Sequence, residues 1–318
     1  MNIVRQRKVK RAINVLLFAF LVINIVAAAH AWKFTHFTAQ GTKTKLTDIA
    51  NDPIRKLKVL LTGIDNPRPV NTILPQGSYR NITIQSNVKV ACWEIPASGV
   101  AKGTVILFHG YSGNKSALLE RSAIFLNNGY NCLLVDFMGS GASDGNQTTI
   151  GFNEAEEVED CYNYVQQAGA QNIYLYGSSM GAVAIMKAIK DYDLHPNGII
   201  IECPFGTMYE TVCSRFRRLK VPTFPMAGIL VFWGGLENGF WGFGHRPEDD
   251  ARSIYCPTLL QYGEKDEMVS RKETDAIYNN LQGPKKLTTY SQAGHDDYIK
   301  KYGGEWSKNV ITFLDHHK

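Results

Sequence analysis

The sequence lacks the marks of a metalloprotein, a disulfide scaffold or a nucleic-acid binder. Its six cysteines (Cys92, Cys132, Cys161, Cys203, Cys213 and Cys256) are scattered. None forms a C-x-x-C pair and no histidine cluster accompanies them, which argues against a zinc site. Most lie in apolar stretches and read as buried free thiols. A Cys203–Cys213 bridge would need an oxidising compartment. There is no basic face either. The formal net charge is +5, and without Arg5, Arg7, Lys8, Lys10 and Arg11 the chain holds 29 basic residues against 29 acidic ones. A neutral body argues against a nucleic-acid partner. No motif calls for a cofactor, and the reading expects neither cofactor nor metal. The remaining composition is that of an ordinary globular chain. The 318 residues leave room for one large domain or two small ones.

Charge is also missing from Ala12 to Trp32, where there is no Lys, Arg, Asp or Glu. At about 1.5 Å per residue such a helix spans a hydrocarbon core of roughly 30 Å. Asn14 and Asn24 weaken the signal without abolishing it. The preceding cationic cluster should stay in the cytoplasm and send the rest of the chain across. Two readings follow: an uncleaved single-pass anchor, or a signal peptide cut near Ala29-His30-Ala31 and an exported product. Residues 33–75 read as a connector, punctuated by Pro67, Pro69 and Pro75. Within it Ile54, Leu57, Leu60, Leu61 and Ile64 fall on one helical face, to rest on a membrane or to pack on the adjoining domain.

From residue 76 onward strands and helices alternate. Residues 79–85 and 88–95 alternate in polarity and read as a hairpin. The apolar runs 104–108, 130–135, 173–176, 198–202, 258–262 and 286–290 read as strands. Helices are expected at 116–128, 153–168, 179–190, 271–281 and 305–316. This order implies an α/β fold with a mostly parallel sheet covered on both faces. An interruption at about 206–255 is rich in aromatics (Phe216, Phe224, Phe232, Trp233, Phe240, Trp241, Phe243) and reads as a cap. Its rings could line an apolar substrate pocket or form the cap's own core. The expected domains are a basic tail 1–11, a spanning helix 12–32, the connector 33–75 and a domain 76–318 that contains the cap.

Gly177-Ser178-Ser179-Met180-Gly181 is a G-x-S-x-G set between a strand and a helix, the setting of a strained nucleophile turn. A serine hydroxyl needs a base. His295, after the last strand, is the one histidine of eight in that position. The imidazole needs an anion to fix its tautomer. Asp266, after strand 258–262, is the choice, with Glu264, Glu267 and Glu202 as rivals. The oxyanion of a tetrahedral intermediate needs preorganised donors. The backbone N–H groups of Met180 and Tyr111 are expected to supply them, the latter from the loop His109-Gly110-Tyr111-Ser112-Gly113. His109 should shape that loop through hydrogen bonds.

These residues together resemble the α/β-hydrolase superfamily, over most of the chain from about Tyr79. The similarity includes the HG loop, the GxSxG elbow, the G-x-x-D acid turn and the GH turn. Asp136-Phe137-Met138-Gly139-Ser140-Gly141-Ala142-Ser143-Asp144-Gly145 is similar to D-x-R-G-x-G-x-S-x-G, with Met138 in place of arginine. The whole chain looks like membrane-anchored members labelled lysophospholipase-like or peptidase-like. The resemblance implies serine hydrolase chemistry, although this fold hosts many functions. The leading expectation is hydrolysis of an ester or thioester with an apolar, lipid-like acyl group through acyl-Ser179. Serine peptidase or amidase activity, and a non-catalytic membrane-tethered binding role, are the alternatives.

Overall fold

The computed structural model describes residues 3–39, 41, 52–295 and 298–317. Part of the expected connector, 42–51, lies outside the described residues. The chain opens with helix α1 (Ile3–Thr35). It is longer than the expected 12–32 because the basic tail continues the helix without a breaker. By length and composition it is able to cross a membrane. A two-residue strand β1 (Phe37–Thr38) pairs in parallel with β2 (Asn66–Pro67), and helix α2 (Pro53–Thr62) lies between them.

Helix α2 starts where Asp52 accepts hydrogen bonds from the Ile54 and Arg55 N–H groups, with Pro53 at the first position. Only part of its apolar stripe turns toward the adjoining domain. Ile54 is 81% exposed, Leu57 60% and Leu61 61%. The helix turns Val59 and Leu60, with Ile64 beyond its end, toward a cavity beside α1. The rest of the stripe faces outward.

The main sheet has eight strands: β3 (Arg80–Gln85), β4 (Lys89–Ile95), β5 (Gly103–Phe108), β6 (Tyr130–Val135), β7 (Ile173–Ser178), β8 (Gly198–Glu202), β9 (Thr258–Gly263) and β10 (Lys285–Tyr290). Their spatial order is β10-β9-β8-β7-β5-β6-β4-β3. β4 runs antiparallel to both β3 and β6, and every other pairing in the sheet is parallel. The β3–β4 hairpin therefore forms one edge, and crossover helices cover both faces. These helices include α3 (Leu119–Asn127), α4 (Glu154–Gln167), α5 (Met180–Tyr192) and α9 (Arg271–Asn280), and they are joined by α10 (Tyr298–His316), which follows the last strand.

Strand β5 shows why the sheet is stable. Val105, Ile106, Leu107 and Phe108 are all fully buried. Their alternation sends Ile106 and Phe108 to the side of α4 and α5, and Val105 and Leu107 to the side of Phe125, Trp306 and Val310. Each such burial contributes on the order of 1.5–3 kcal/mol. A run buried on both faces has no polar position to offer, hence the unbroken apolar sequence.

The cap follows β8. Its main elements are α6 (Met208–Arg218) and α7 (Met226–Glu237), followed by the short α8 (Pro247–Asp250). Helix α7 packs on α1. Ala27 and Ala31 are buried, and a Cβ built at Gly234 would stand 3.9 Å from the Ala31 Cβ. The small residues let the two backbones approach. The Trp233 indole N–H donates to Asn24 Oδ1 at 3.1 Å, so the asparagine's carbonyl is satisfied inside the pair. The cap aromatics divide. Phe216 and Phe240 turn inward, while Phe224 and Trp241 are exposed.

The end of α1 is stitched to the domain that holds the main sheet. Thr35, His36 and Phe37 are buried. The Phe37 N–H donates to the Asn146 carbonyl at 2.6 Å, and the Thr148 N–H donates to the Thr35 carbonyl at 2.8 Å. The six cysteines are free, so the Cys203–Cys213 bridge is not formed.

Candidate active site

Ser179 sits between β7 and α5 with φ 51° and ψ −111°. This is a costly conformation for a residue with a side chain, and it persists because its surroundings fix it. A Cβ at Gly177 would lie 2.5 Å from the Gly181 carbonyl carbon, and one at Gly181 would lie 2.5 Å from the Phe108 oxygen. The two glycines of the motif are thus spaces that neighbouring backbone already fills. The Ser179 N–H donates to the Glu202 carbonyl at 2.7 Å, tying the turn to β8.

The side chains expected at the site meet. Ser179 Oγ lies 3.0 Å from His295 Nε2, and His295 Nδ1 lies 2.8 Å from Asp266 Oδ2. Asp266 Oδ1 accepts from the Met268 N–H at 2.7 Å and the Val269 N–H at 2.9 Å. The carboxylate is therefore held on one oxygen by its own turn and presents the other to the imidazole. Its side chain is fully buried. Burial alone would disfavour the charged ring of His295. The adjacent Cys203 sulfur and the Asp266 carboxylate outweigh it, and the net direction of the His295 pKa is upward.

None of the rival acids contacts the histidine. Glu202 is buried and accepts from Arg121 Nη2 at 3.0 Å and from the Trp306 indole N–H at 2.6 Å. Glu267 pairs with Arg218 at 3.5 Å, and Glu264 is exposed. Cys203, Asp266 and His295 could also bring one donor atom each within 4.8 Å of one another. A metal there would have to displace the Nδ1–carboxylate hydrogen bond.

Tyr111 and Met180 border the same cavity as Ser179 and His295, a space of about 450 Å³. His109 shapes the Tyr111 loop as expected. Its Nε2 accepts from the Phe137 N–H at 3.1 Å, which leaves Nδ1 to donate to the Gly110 carbonyl at 2.8 Å. Burial lowers its pKa and keeps the ring neutral. The Tyr111 side chain points away from the serine. Its hydroxyl donates to the Phe34 carbonyl at 2.7 Å, and its ring stacks on Phe34 at 4.7 Å between centroids.

Two supports escaped the sequence reading. Met138 leaves the 136–145 loop without the arginine that the resemblance led one to expect, but Arg68 of the connector supplies a guanidinium from another direction. It donates to the carbonyls of Ser140, Gly141, Ser143 and Gly145. The only trace of this was the Pro67-Arg68-Pro69 triplet. Asp136, at the start of the loop, is buried against Lys115 and accepts from the Lys115 N–H at 2.7 Å and from Asn71 Nδ2 at 2.7 Å. Burial pushes its carboxyl up, and Lys115 more than reverses that, so its pKa lies below the ordinary value.

Comparison with known proteins places these features in context. Residues 99–231 match the profile of a family described as serine aminopeptidase, S33. The Bacillus subtilis protein YqkD is 27% identical over 216 residues, covering 67% of this chain and 71% of that protein. A carboxylesterase of the same organism is 25% identical over 237 residues, covering 66% of this chain and 92% of the relative. Among solved structures, a Pyrococcus furiosus esterase superposes with a TM-score of 0.66 at 22% identity, over 79% of this chain and 97% of the esterase.

Proposed function

We propose that the chain is a serine esterase of the α/β-hydrolase type, acting on carboxylic esters or thioesters with an apolar acyl group; the profile match over 99–231, the carboxylesterase relative and the esterase fold support this reading. The observation that carries the reading is the continuous chain Ser179 Oγ, His295 Nε2, His295 Nδ1, Asp266 Oδ2, with links of 3.0 and 2.8 Å. In the proposed reaction His295 takes the Ser179 proton as the oxygen attacks the acyl carbon. The backbone N–H groups of Tyr111 and Met180 receive the oxyanion. His295 then gives its proton to the leaving alcohol or thiol, and the acyl-serine forms. Water, deprotonated by His295, attacks the acyl carbon; His295 then returns that proton to Ser179 Oγ as the acyl–oxygen bond breaks, which releases the acid and free Ser179. Asp266 holds the ring and stabilises its charged form.

The uncharged run of α1 supports a single-pass anchor, with the basic end cytoplasmic and the hydrolase domain across the membrane. Peptidase or amidase activity is the second reading. It is favoured by the description of the matching family and would use the same residues.

Initial rates on p-nitrophenyl esters of increasing acyl length, beside aminoacyl and peptide amides, test both. Ser179→Ala should lower kcat by about 10^4-fold or more, with loss of fluorophosphonate labelling. Full activity in that variant would refute the mechanism, and a preference for the amides would turn the reading to peptidase.

A further inference from the structure

A second cavity, of about 520 Å³, lies between α1, α2 and the cap. Its walls include Phe34, Leu60, Val212, Phe216, Leu230 and Phe240. It borders the serine cavity, and Tyr111, Ile150, Arg215 and Met268 line both. Size and lining suit an apolar chain.

Arg215 is the anomaly at this seam. It sits on α6 with its guanidinium carbon 4.6 Å from the Phe34 ring centroid and 5.8 Å from that of Tyr111. One of its five N–H donors goes to the Thr211 carbonyl at 2.8 Å. Among the described residues no carboxylate pairs with it, whereas Arg217 pairs with Glu210 and Arg218 with Glu267. Burial pulls its pKa down to about 10, which leaves it charged at neutral pH. A partly buried, unpaired guanidinium is costly for a fold unless something anionic joins it. Its planar donors match phosphate and carboxylate oxygens.

We propose that the substrate is a single-chain amphiphilic ester with an anionic group near the scissile bond. Arg215 binds the anion at the seam, and the acyl chain occupies the apolar cavity. The inference rests on the esterase reading of Ser179 and adds the substrate's charge and its placement. The guanidinium lies beside two aromatic rings and gives one donor to the Thr211 carbonyl, so its remaining donors can serve an anion. No carboxylate needs to be displaced, so binding gains the full charge-assisted contact.

The test compares two substrates of the full-length protein, 1-lauroylglycerol 3-phosphate and 1-lauroylglycerol, below their critical micelle concentrations. They share the chain and the ester and differ in the phosphate. The wild type should cleave the phosphate-bearing ester with kcat/KM about 10- to 100-fold higher. Arg215→Gln should collapse that ratio toward one, and Arg215→Lys should restore part of it. Dodecyl phosphate should inhibit the wild type at concentrations at least tenfold lower than dodecylglycerol, a measurement that needs no variant. Equal cleavage of both esters, or a stronger effect of the uncharged inhibitor, would overturn the inference and leave the esterase reading intact. An Arg215→Gln variant that slows both esters alike would assign the residue a packing role. Failure of the wild type to cleave either ester would instead remove the esterase reading itself.

Discussion

Replacing Asp266 by asparagine should disable the protein without unfolding it, and the hydrogen bonds say why. Oδ1 accepts from two backbone N–H groups, at 2.7 and 2.9 Å. In the variant that position must hold the amide oxygen, because an NH2 there would face two donors. The amide nitrogen is then forced to the Oδ2 position, 2.8 Å from His295 Nδ1. As a donor it obliges Nδ1 to accept, which moves the ring proton to Nε2. That nitrogen then has no lone pair for the Ser179 proton. Loss of the correct tautomer costs about 10^4-fold in rate, equivalent to roughly 5 kcal/mol of transition-state stabilisation. The assay is kcat/KM on p-nitrophenyl butyrate from pH 5 to 10, with thermal unfolding to show that the variant is folded. The pH profile gives a second readout. The base form of His295 is required, and its pKa is raised. The wild-type rate should therefore rise with pH through a midpoint above 6.5. Removing the Asp266 charge should bring that midpoint down. The same upward shift means that His295 contributes stability that is complete below pH 6.5 and is lost as pH rises through the folded-state value. An asparagine variant with more than a tenth of wild-type activity would refute the assignment of Asp266.

Two further outcomes are expected. Lys115→Met keeps volume but leaves Asp136 buried without its cation; it should cost about 3–5 kcal/mol and lower Tm by roughly 6 °C or more, as read by calorimetry, and an unchanged Tm would show that Asn71 and the backbone donors suffice. Phe34→Ala removes the ring stacked on Tyr111; it should cost about 2 kcal/mol and lower kcat/KM on a short-chain ester about tenfold by loosening the loop that carries the proposed oxyanion donor, whereas wild-type kinetics would show that the Tyr111 backbone is fixed by its own loop.

The parts of the molecule legible in the sequence are those governed by local rules. The β5 run Val105–Phe108 is apolar because both sheet faces are covered, so its burial could be read without a structure. Gly177, Ser179 and Gly181 follow from the steric demands of one turn, and His295 from its place after β10. Asp266 was harder to separate from Glu202, Glu264 and Glu267. The decision depends on an Arg121 and a Trp306 that reach Glu202 from distant helices. The helix at 53–62 was visible, but the surface that its apolar stripe faces was not, because no periodicity encodes the neighbour. Arg68 and Arg215 were silent for the same reason. Each acts across long sequence separations, on carbonyl groups or ring faces that any residue type can present.

The junction at Thr35, His36 and Phe37 has a consequence for how the protein meets its substrate. All three residues are buried, and the stretch is hydrogen-bonded to the 146–148 segment, so the transition from α1 into the hydrolase domain has no slack. Direction travels through it. Whatever grips the long helix also aims the mouth of the serine cavity. On the proposed function, encounter is then a matter of pose more than of reach: a substrate would have to arrive from the side toward which the helix has turned Ser179.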